Sequence, residues 1–462
     1  MNNEEKQEAL PRCKVHVIES GGESRVGWTT CEIGTNVKFS TESLASYFFA
    51  EWQPIVFDAL LVAAVVEFCD KIKKRPKLGW GRNFDVRIPV HDPDTWNKES
   101  VSSSLRDALQ FLTGDRWNLR FVKRQRVLQK PQQGLFELPT GAVAVIPFSE
   151  GLDSRAVSGL MAKELGDGLT RVRLGTKSFD RPRDAAGRTH KFPFAAIPYE
   201  VSSDGKRFSE SSARSRGFKF ALLSGVAAYL AKAQRIIVPE SGQGALGSSL
   251  VPVGHSYEDY RNHPLFTQRM EKFLNALLGQ NMRFEFPRLW FTKGETLAAY
   301  LKLDNSRDWK STRSCWQDNR HVSVHKHRRQ CGICAACMLR RLSVHAAGVQ
   351  EAKDIYIWED LTSSSFEKGA ASGYKKTKGV QRHYAIAGTL HLDHLAGLRS
   401  VPIYQRALDG AAHRLDRALG YWPGEARGKL NRLLEQHEKE WMAFMKSLGP
   451  DSFVGNWAGG AP

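Results

Sequence analysis

The sequence lacks an apolar run long enough to cross a bilayer. Its most hydrophobic stretch, Pro54 to Cys69 (PIVFDALLVAAVVEFC), is short for a span of about 20 residues and carries Asp58 and Glu67. A buried helix is therefore expected, and no membrane partner. The first residues, MNNEEKQEALPRCK, are polar and charged, without the apolar segment of a secretory signal. Cysteine is scarce, with seven in 462 residues. Cys13, Cys31 and Cys69 are scattered, which excludes a disulfide framework and points to a reducing cytoplasm. No internal repeat is present, which excludes a solenoid. Acidic residues are in deficit, 49 against 67 Lys and Arg, leaving a net charge of +18. Such a surplus attracts polyanions, so nucleic acid, nucleotide phosphates and an acidic protein all remain open as partners. Hydrophobic content of 41% suffices for globular cores, and the length suggests about three domains.

The remaining four cysteines fall together as C-x15-C-x2-C-x2-C: Cys315, Cys331, Cys334 and Cys337. Four thiolates close a tetrahedron around zinc, and C-x2-C pairs let a chain fold back onto one ion. The spacing predicts a structural zinc site. His321, His325 and His327 lie nearby and could stand in for a cysteine, but the four-thiolate set is complete without them.

A second motif occupies 141–166, GAVAVIPFSEGLDSRAVSGLMAKELG. The apolar run Val143 to Phe148 reads as a strand ending in the turn Ser149-Glu150-Gly151-Leu152-Asp153-Ser154. Val157, Leu160, Met161 and Leu165 then recur at helical spacing. A strand, a tight turn and a helix start aim free N–H groups and the helix dipole into the turn, an arrangement that suits phosphate. Asp-Ser is also a common helix cap, so the turn alone leaves both readings open.

Together the two motifs resemble the PP-loop ATP pyrophosphatases, and within them the 7-cyano-7-deazaguanine synthase (QueC) family. The superfamily signature S-G-G-x-D-S reads S-E-G-L-D-S here, with Glu150 at a glycine position. FEFPRLWFTKGET (284–296) is similar to that family's strand, turn and helix start. RSCW (313–316) and CGICAACMLRR (331–341) are similar to its zinc element. The resemblance covers roughly 141–348. It implies an α/β fold: a Rossmann-like parallel sheet of the adenine-nucleotide alpha-hydrolase (HUP) type, with a carboxyl-terminal zinc knuckle. It implies ATP, Mg2+ and Zn2+ as cofactors. Ser149, Glu150, Gly151, Leu152, Asp153, Ser154 and Arg216 would form the ATP site. Asp153 would anchor magnesium or cap the helix, and Lys293 would contact phosphate or carboxylate. Arg340 would be aimed at the site by the knuckle or stand in solvent.

By the same resemblance the reaction is an ATP-dependent ligation. A 7-carboxy-7-deazaguanine-like acid is adenylated and then coupled to an amine, either ammonia or an amine on a partner protein. QueC-like chains with extra flanking domains are similar to those of anti-phage defence systems of the Qat and CBASS-associated kinds, so a defence partner protein is expected. Homodimers are common in the family. A tRNA-modifying PP-loop enzyme and a zinc-containing scaffold without turnover, the latter motivated by Glu150, are the alternatives.

Residues 1–140 read as an α+β module, 141–348 as the core, and 349–462 as a helical extension. Strands are expected at 12–19, 25–32, 83–90 and 118–127, and in the core at 142–148, 169–174, 194–201, 235–239 and 282–286. Helices are expected at 101–113, 154–166, 215–232, 264–279, within 388–420 and at 425–447. Residues 239–250 read as a glycine-rich loop and 362–381 as a mobile linker, and the tail from Gly455 as frayed. Asp85, His91 and Asp94, at strand ends of the first module, read as solvated polar groups rather than a site.

Overall fold

The computed structural model describes residues 10–39, 53–76, 80–125, 141–174, 194–197, 199–203, 205, 207–210, 214–254, 257–303, 306–317, 323–324, 327–374 and 379–458. The chain divides into two compact units that it enters more than once. The first comprises 1–147, 167–237 and 266–285; the second comprises 148–166, 238–265 and 286–462.

The first unit holds two parallel sheets. One is built from β1 (Arg12–Ile18), β2 (Thr29–Glu32), β4 (Asn83–Val90) and β5 (Arg116–Lys123) in the order β2-β1-β4-β5. Every neighbouring pair in it is parallel. The α+β expectation for this segment is thus corrected to α/β. Its crossover helices are α1 (Pro54–Ile72), α2 (Pro93–Asn97) and α3 (Glu99–Thr113). The long apolar run is buried almost all round in α1. β3 (Val37–Phe39) pairs antiparallel with β9 (Tyr199–Val201).

The other sheet contains β6 (Ala144–Pro147), β7 (Leu169–Leu174), β8 (Phe194–Ile197), β10 (Arg235–Ile237) and β11 (Arg283–Glu285), ordered β11-β10-β6-β7-β8 and parallel throughout. Counted along the chain this is the 3-2-1-4-5 order of a doubly wound sheet. Its direction reverses between β6 and β10, whose carboxyl ends are where such sheets bind ligands. α5 (Arg216–Leu230) and α7 (Pro264–Leu278) accompany it. Asp70 and Asp115 are buried with Arg75 and Arg82 in a four-charge cluster. Asp70 also accepts the Ser215 N–H at 2.7 Å, which fixes the entry to α5.

The second unit is helical: α4 (Leu152–Leu165), α6 (Gly242–Leu250), α8 (Lys293–Leu301), α9 (Ala335–Ala346), α10 (Gly379–Gly397), α11 (Gln405–Leu419) and α12 (Glu425–Leu448), with a short antiparallel pair β12 (Ser323–Val324) and β13 (His327–Arg328). Four expectations change here. Residues 239–250 contain a helix rather than a loop. Their glycines mark close approach: a Cβ on Gly242 would collide with the Leu289 carbonyl, and one on Gly244 with the Glu240 carboxyl. The apolar pattern of 388–420 belongs to two helices separated by a turn at Pro402. The 362–381 stretch, described through Tyr374, is packed rather than mobile: Phe366 stacks on Trp358 at 4.7 Å and meets Phe453 and Trp457. The tail, described through Ala458, is likewise held there, with Ala458 buried; the rest of it lies outside the described residues. Among the described residues no helix is long and apolar enough to cross a membrane.

Candidate active site and metal centre

The turn expected to bind phosphate leaves β6 directly. Ser149 N–H donates to Ser154 Oγ at 2.7 Å, and Gly151 N–H to Ser149 Oγ at 3.2 Å, so the two hydroxyls shape the turn from within. Gly151 is the N-cap of α4 with extended torsions, and no side chain caps the helix. The Asp-Ser capping alternative therefore falls away. Glu150 is solvent-exposed, and among the described non-glycine residues left-handed torsions are confined to Trp80 and Lys232. The turn thus asks nothing of residue 150 that only glycine could supply.

Behind this turn lies a buried charged cluster. Asp153 points inward from the first turn of α4. Lys293, the first residue of α8, is ion-paired through Nζ to Asp153 Oδ2, both side chains being about nine-tenths buried. Burial opposes the Lys293 charge, but the carboxylates of Asp153 and Glu240 outweigh it and hold its pKa above the ordinary value. Glu240 follows β10 by three residues and was not singled out by sequence reasoning. Burial, and then the Asp153 charge, pushes its carboxyl up to about 8. In its protonated form it hydrogen-bonds Asp153, while Asn262 Nδ2 donates to its Oε2 at 2.8 Å. Among the described residues no amide, hydroxyl or ammonium donor reaches Asp153 Oδ1. With Glu240 ionised, its carboxylate and Asp153 Oδ1 would be oxygen donors of the kind a hard cation takes. The available signal for Glu240 was its place at the end of a strand flanking the reversal point.

Of the other expected residues, Arg216 opens α5 in the first unit, its guanidinium 5.4 Å from the Phe220 ring centre. Arg340 is fully buried and does not face solvent. Its Nη1 donates to Thr312 Oγ1 at 2.7 Å and its Nη2 to Glu351 at 2.6 Å. Asp85 pairs with Arg12 at 2.6 Å, and His91 Nδ1 lies 2.7 Å from Asp58.

Cys315, Cys331, Cys334 and Cys337 converge with their sulfurs all within 4.8 Å of one another. Cys331 and Cys337 sulfurs are 3.7 Å apart, near the edge of roughly 3.8 Å that a tetrahedron with Zn–S of about 2.3 Å requires. Gly332 lies at φ +83°, and a Cβ there would stand 3.0 Å from the Trp358 carbonyl; the C-G-x-C pattern needs its glycine. Cys334 is the N-cap of α9. Gln330 Oε1 accepts the N–H groups of Ser314 and Cys315 at 2.7 and 3.2 Å, bringing the distant cysteine to the other three. His327 is exposed on β13; His321 and His325 lie outside the described residues. Four converging thiols of this spacing could hold a structural zinc ion.

Residues 243–348 match the family model for queuosine biosynthesis protein QueC. This stretch holds all but the first residue of α6, together with Lys293 and all four cysteines. The match begins three residues after Glu240 and leaves the 149–154 turn outside. No curated protein matches the chain. The match, the parallel doubly wound sheet and the strand–turn–helix at 144–165 support an ATP-using PP-loop enzyme related to 7-cyano-7-deazaguanine synthesis.

Proposed function

We propose that the protein is a cytoplasmic ATP-dependent ligase of the PP-loop type that adenylates a 7-deazaguanine carboxylate and passes the acyl group to an amine. The observation that carries this reading is the buried Lys293–Asp153 ion pair, with Glu240 beside it, immediately behind the 149–154 turn. ATP would lie with its phosphates at the backbone of that turn. The acid's oxygen attacks the α-phosphorus, the bond to the β,γ-phosphates breaks, and pyrophosphate leaves. The amine nitrogen then attacks the acyl carbon, the carbon–oxygen bond to AMP breaks, and the amine proton passes to Glu240 in its ionised form.

The developing charge is met by groups already ordered before reaction, which is where electrostatic catalysis is most effective. Lys293 supplies a fixed positive charge in a site shielded from water. Asp153 Oδ1 would hold magnesium, whose contribution is neutralisation of phosphate charge. The four cysteines would hold zinc, which supplies a crosslink and no reaction step. Residues 1–140 and 349–462 flank the 141–348 core, and the acceptor they present is an amine on a partner protein in an anti-phage defence system, with ammonia as the simpler acceptor. The net charge of +18 favours a second reading, a PP-loop enzyme acting on tRNA, marked by tight and salt-sensitive tRNA binding.

The test is pyrophosphate release from ATP with 7-carboxy-7-deazaguanine. Release that depends on the acid and disappears in Asp153→Ala supports the ligase. Absence of release with the acid, together with release on adding tRNA, replaces it with the second reading.

A further inference from the structure

The helix α12 lies well beyond residue 348, where the family match ends, yet its side chains converge on the one turn that carries Lys293. Thr292, the N-cap of α8, donates its hydroxyl to Glu440 Oε1 at 2.6 Å, and Gln436 Nε2 donates to the same oxygen at 3.1 Å. Arg432 Nη1 donates to Glu295 Oε2 at 2.7 Å and to the Trp290 carbonyl at 2.9 Å. Glu295 is itself the partner of Thr292 in the capping box of α8. Arg432, Gln436 and Glu440 are spaced i, i+4, i+8, so they form one stripe along α12. Gly294 keeps the approach open: a Cβ there would stand 3.1 Å from Glu440 Oε1 and 2.7 Å from the Ala346 Cβ.

A second thread runs from the Lys293 backbone itself. Its N–H donates to Gln243 Oε1 at 2.7 Å. Gln243 Nε2 lies 2.8 Å from His437 Nδ1, and His437 Nε2 lies 2.9 Å from the Leu392 carbonyl. Burial lowers the His437 pKa to about 4, so the ring is neutral. A carbonyl can only accept, which puts the ring's proton on Nε2 and leaves Nδ1 to accept from Gln243. Every bond in the thread is then satisfied in one direction, from Lys293 through α6 and α12 to α10.

We infer that α12 is the positioning element for Lys293, with Glu440 acting through Thr292 and His437 acting through Gln243. The inference rests on the proposed role of Lys293 at the transferred phosphate. A lysine side chain has four rotatable bonds and loses much entropy when fixed. Anchoring its backbone and the preceding cap from a separate helix lets the ammonium meet Asp153 and Glu240 without searching. Small misplacements of such a group are costly to rate.

The experiment uses the full chain and four variants: Glu440→Ala, Glu440→Gln, Gln243→Leu, and Phe444→Leu as control. Phe444 lies on the same helix but packs in the cluster with Trp358 and Trp441. Two quantities are read: acetylation of Lys293 by acetic anhydride, followed by peptide mass spectrometry, and kcat and KM for ATP in pyrophosphate release. Glu440→Ala and Gln243→Leu are expected to raise Lys293 labelling and lower kcat, each about tenfold, with KM little changed. Glu440→Gln, which can still accept from Thr292, stays close to the wild type. Phe444→Leu lowers the melting temperature without either effect. Wild-type labelling in Glu440→Ala and Gln243→Leu, or equal labelling in Phe444→Leu, overturns the inference. Should Glu440→Ala fail to fold, Gln243→Leu decides. If the wild type releases no pyrophosphate, labelling alone judges the positioning, and the failure belongs to the assigned reaction.

Discussion

The Arg313 N–H donates to the Glu150 carbonyl at 2.7 Å, which fastens the phosphate-type turn to the strand of chain that brings Cys315 to the metal centre. Two features that the sequence separates by more than a hundred residues are thus one backbone hydrogen bond and two residues apart. Gln330, next to Cys331 of the cysteine cluster, holds the Cys315 segment; the Cys315 segment in turn braces the turn.

Removal of the metal should therefore be felt at 149–154. Cys334→Ser is expected to lose one equivalent of zinc, measured by atomic emission. It should also lose several kcal/mol of stability, because metal binding at such a site is folding free energy. Hydrogen exchange of the 149–154 amides should accelerate before that of β6. Unchanged exchange in a zinc-free protein would break the link between the two features.

Glu150 is a milder case than its place in the signature suggests. Its side chain is exposed and its backbone is ordinary, so Glu150→Gly should alter stability by less than about 1 kcal/mol. Nucleotide affinity, measured by calorimetry, should be present in the wild type and rise modestly in the variant as one negative charge leaves the rim. Affinity that appears only in the variant would mean that the turn is disabled and would revive the scaffold reading.

The Lys293–Asp153 pair gives the sharpest contrast between stability and activity. Lys293→Met leaves Asp153 and Glu240 facing each other without a cation and should cost about 3–5 kcal/mol, the range for breaking a buried pair from one side. The double variant Lys293→Met with Asp153→Asn should recover much of that loss, since no charge is left unmatched, while pyrophosphate release stays abolished. Urea denaturation of the three proteins beside the activity assay checks this. A double variant no more stable than the single would show that the pair is not the source of the loss.

What could be read ahead of the structure was local. The cysteine spacing, the strand–turn–helix at 144–165 and the alternation of strand and helix all lie within short windows. A four-thiolate zinc site and a phosphate-binding turn, where a chain has them, also restrict residue type strongly within such windows. Lys293 was legible only through the resemblance of FEFPRLWFTKGET (284–296) to the family's strand, turn and helix start; its capping box, Thr292 with Glu295, came from the structure. Glu240 was not, because a glutamate beside Pro239 before a glycine-rich stretch looks like the lip of a solvated loop. Only the close approach at Gly244 reveals that the carboxyl is turned inward. His437 and Glu440 were hidden more deeply. On a helix as polar as α12 a glutamate and a histidine read as solvent-facing, and their partners Thr292 and Gln243 lie far away in the chain. The parallel order of the first sheet was missed since strand pattern reports burial and not the direction of the neighbour.

The pH dependence of stability, without nucleotide or added magnesium, follows from four buried groups whose shifts oppose one another. Burial raises Glu240 to about 8 and Glu440 to about 7, from an ordinary 4.5. Burial lowers His391 and His437 to about 4, from an ordinary 6.5. Between about pH 4.5 and 6.5 the folded chain holds two extra protons on the acids. The unfolded chain holds two on the histidines over the same range, so the contributions cancel. Above 6.5 the unfolded histidines are neutral while the folded acids keep their protons. Stability contributed by the acids is then lost as pH rises through 7 and 8, at roughly 1.4 kcal/mol per pH unit for each extra proton. Urea unfolding at pH 6, 7, 8 and 9 should show a fall that levels off above 8. In Glu240→Gln the fall should end near 7, because only Glu440 remains to titrate. Stability that is flat or rising between 6.5 and 8 in the wild type would mean that Glu240 is ionised in the folded protein. The proton acceptor proposed for the amine would then be a permanent carboxylate rather than one poised to change state.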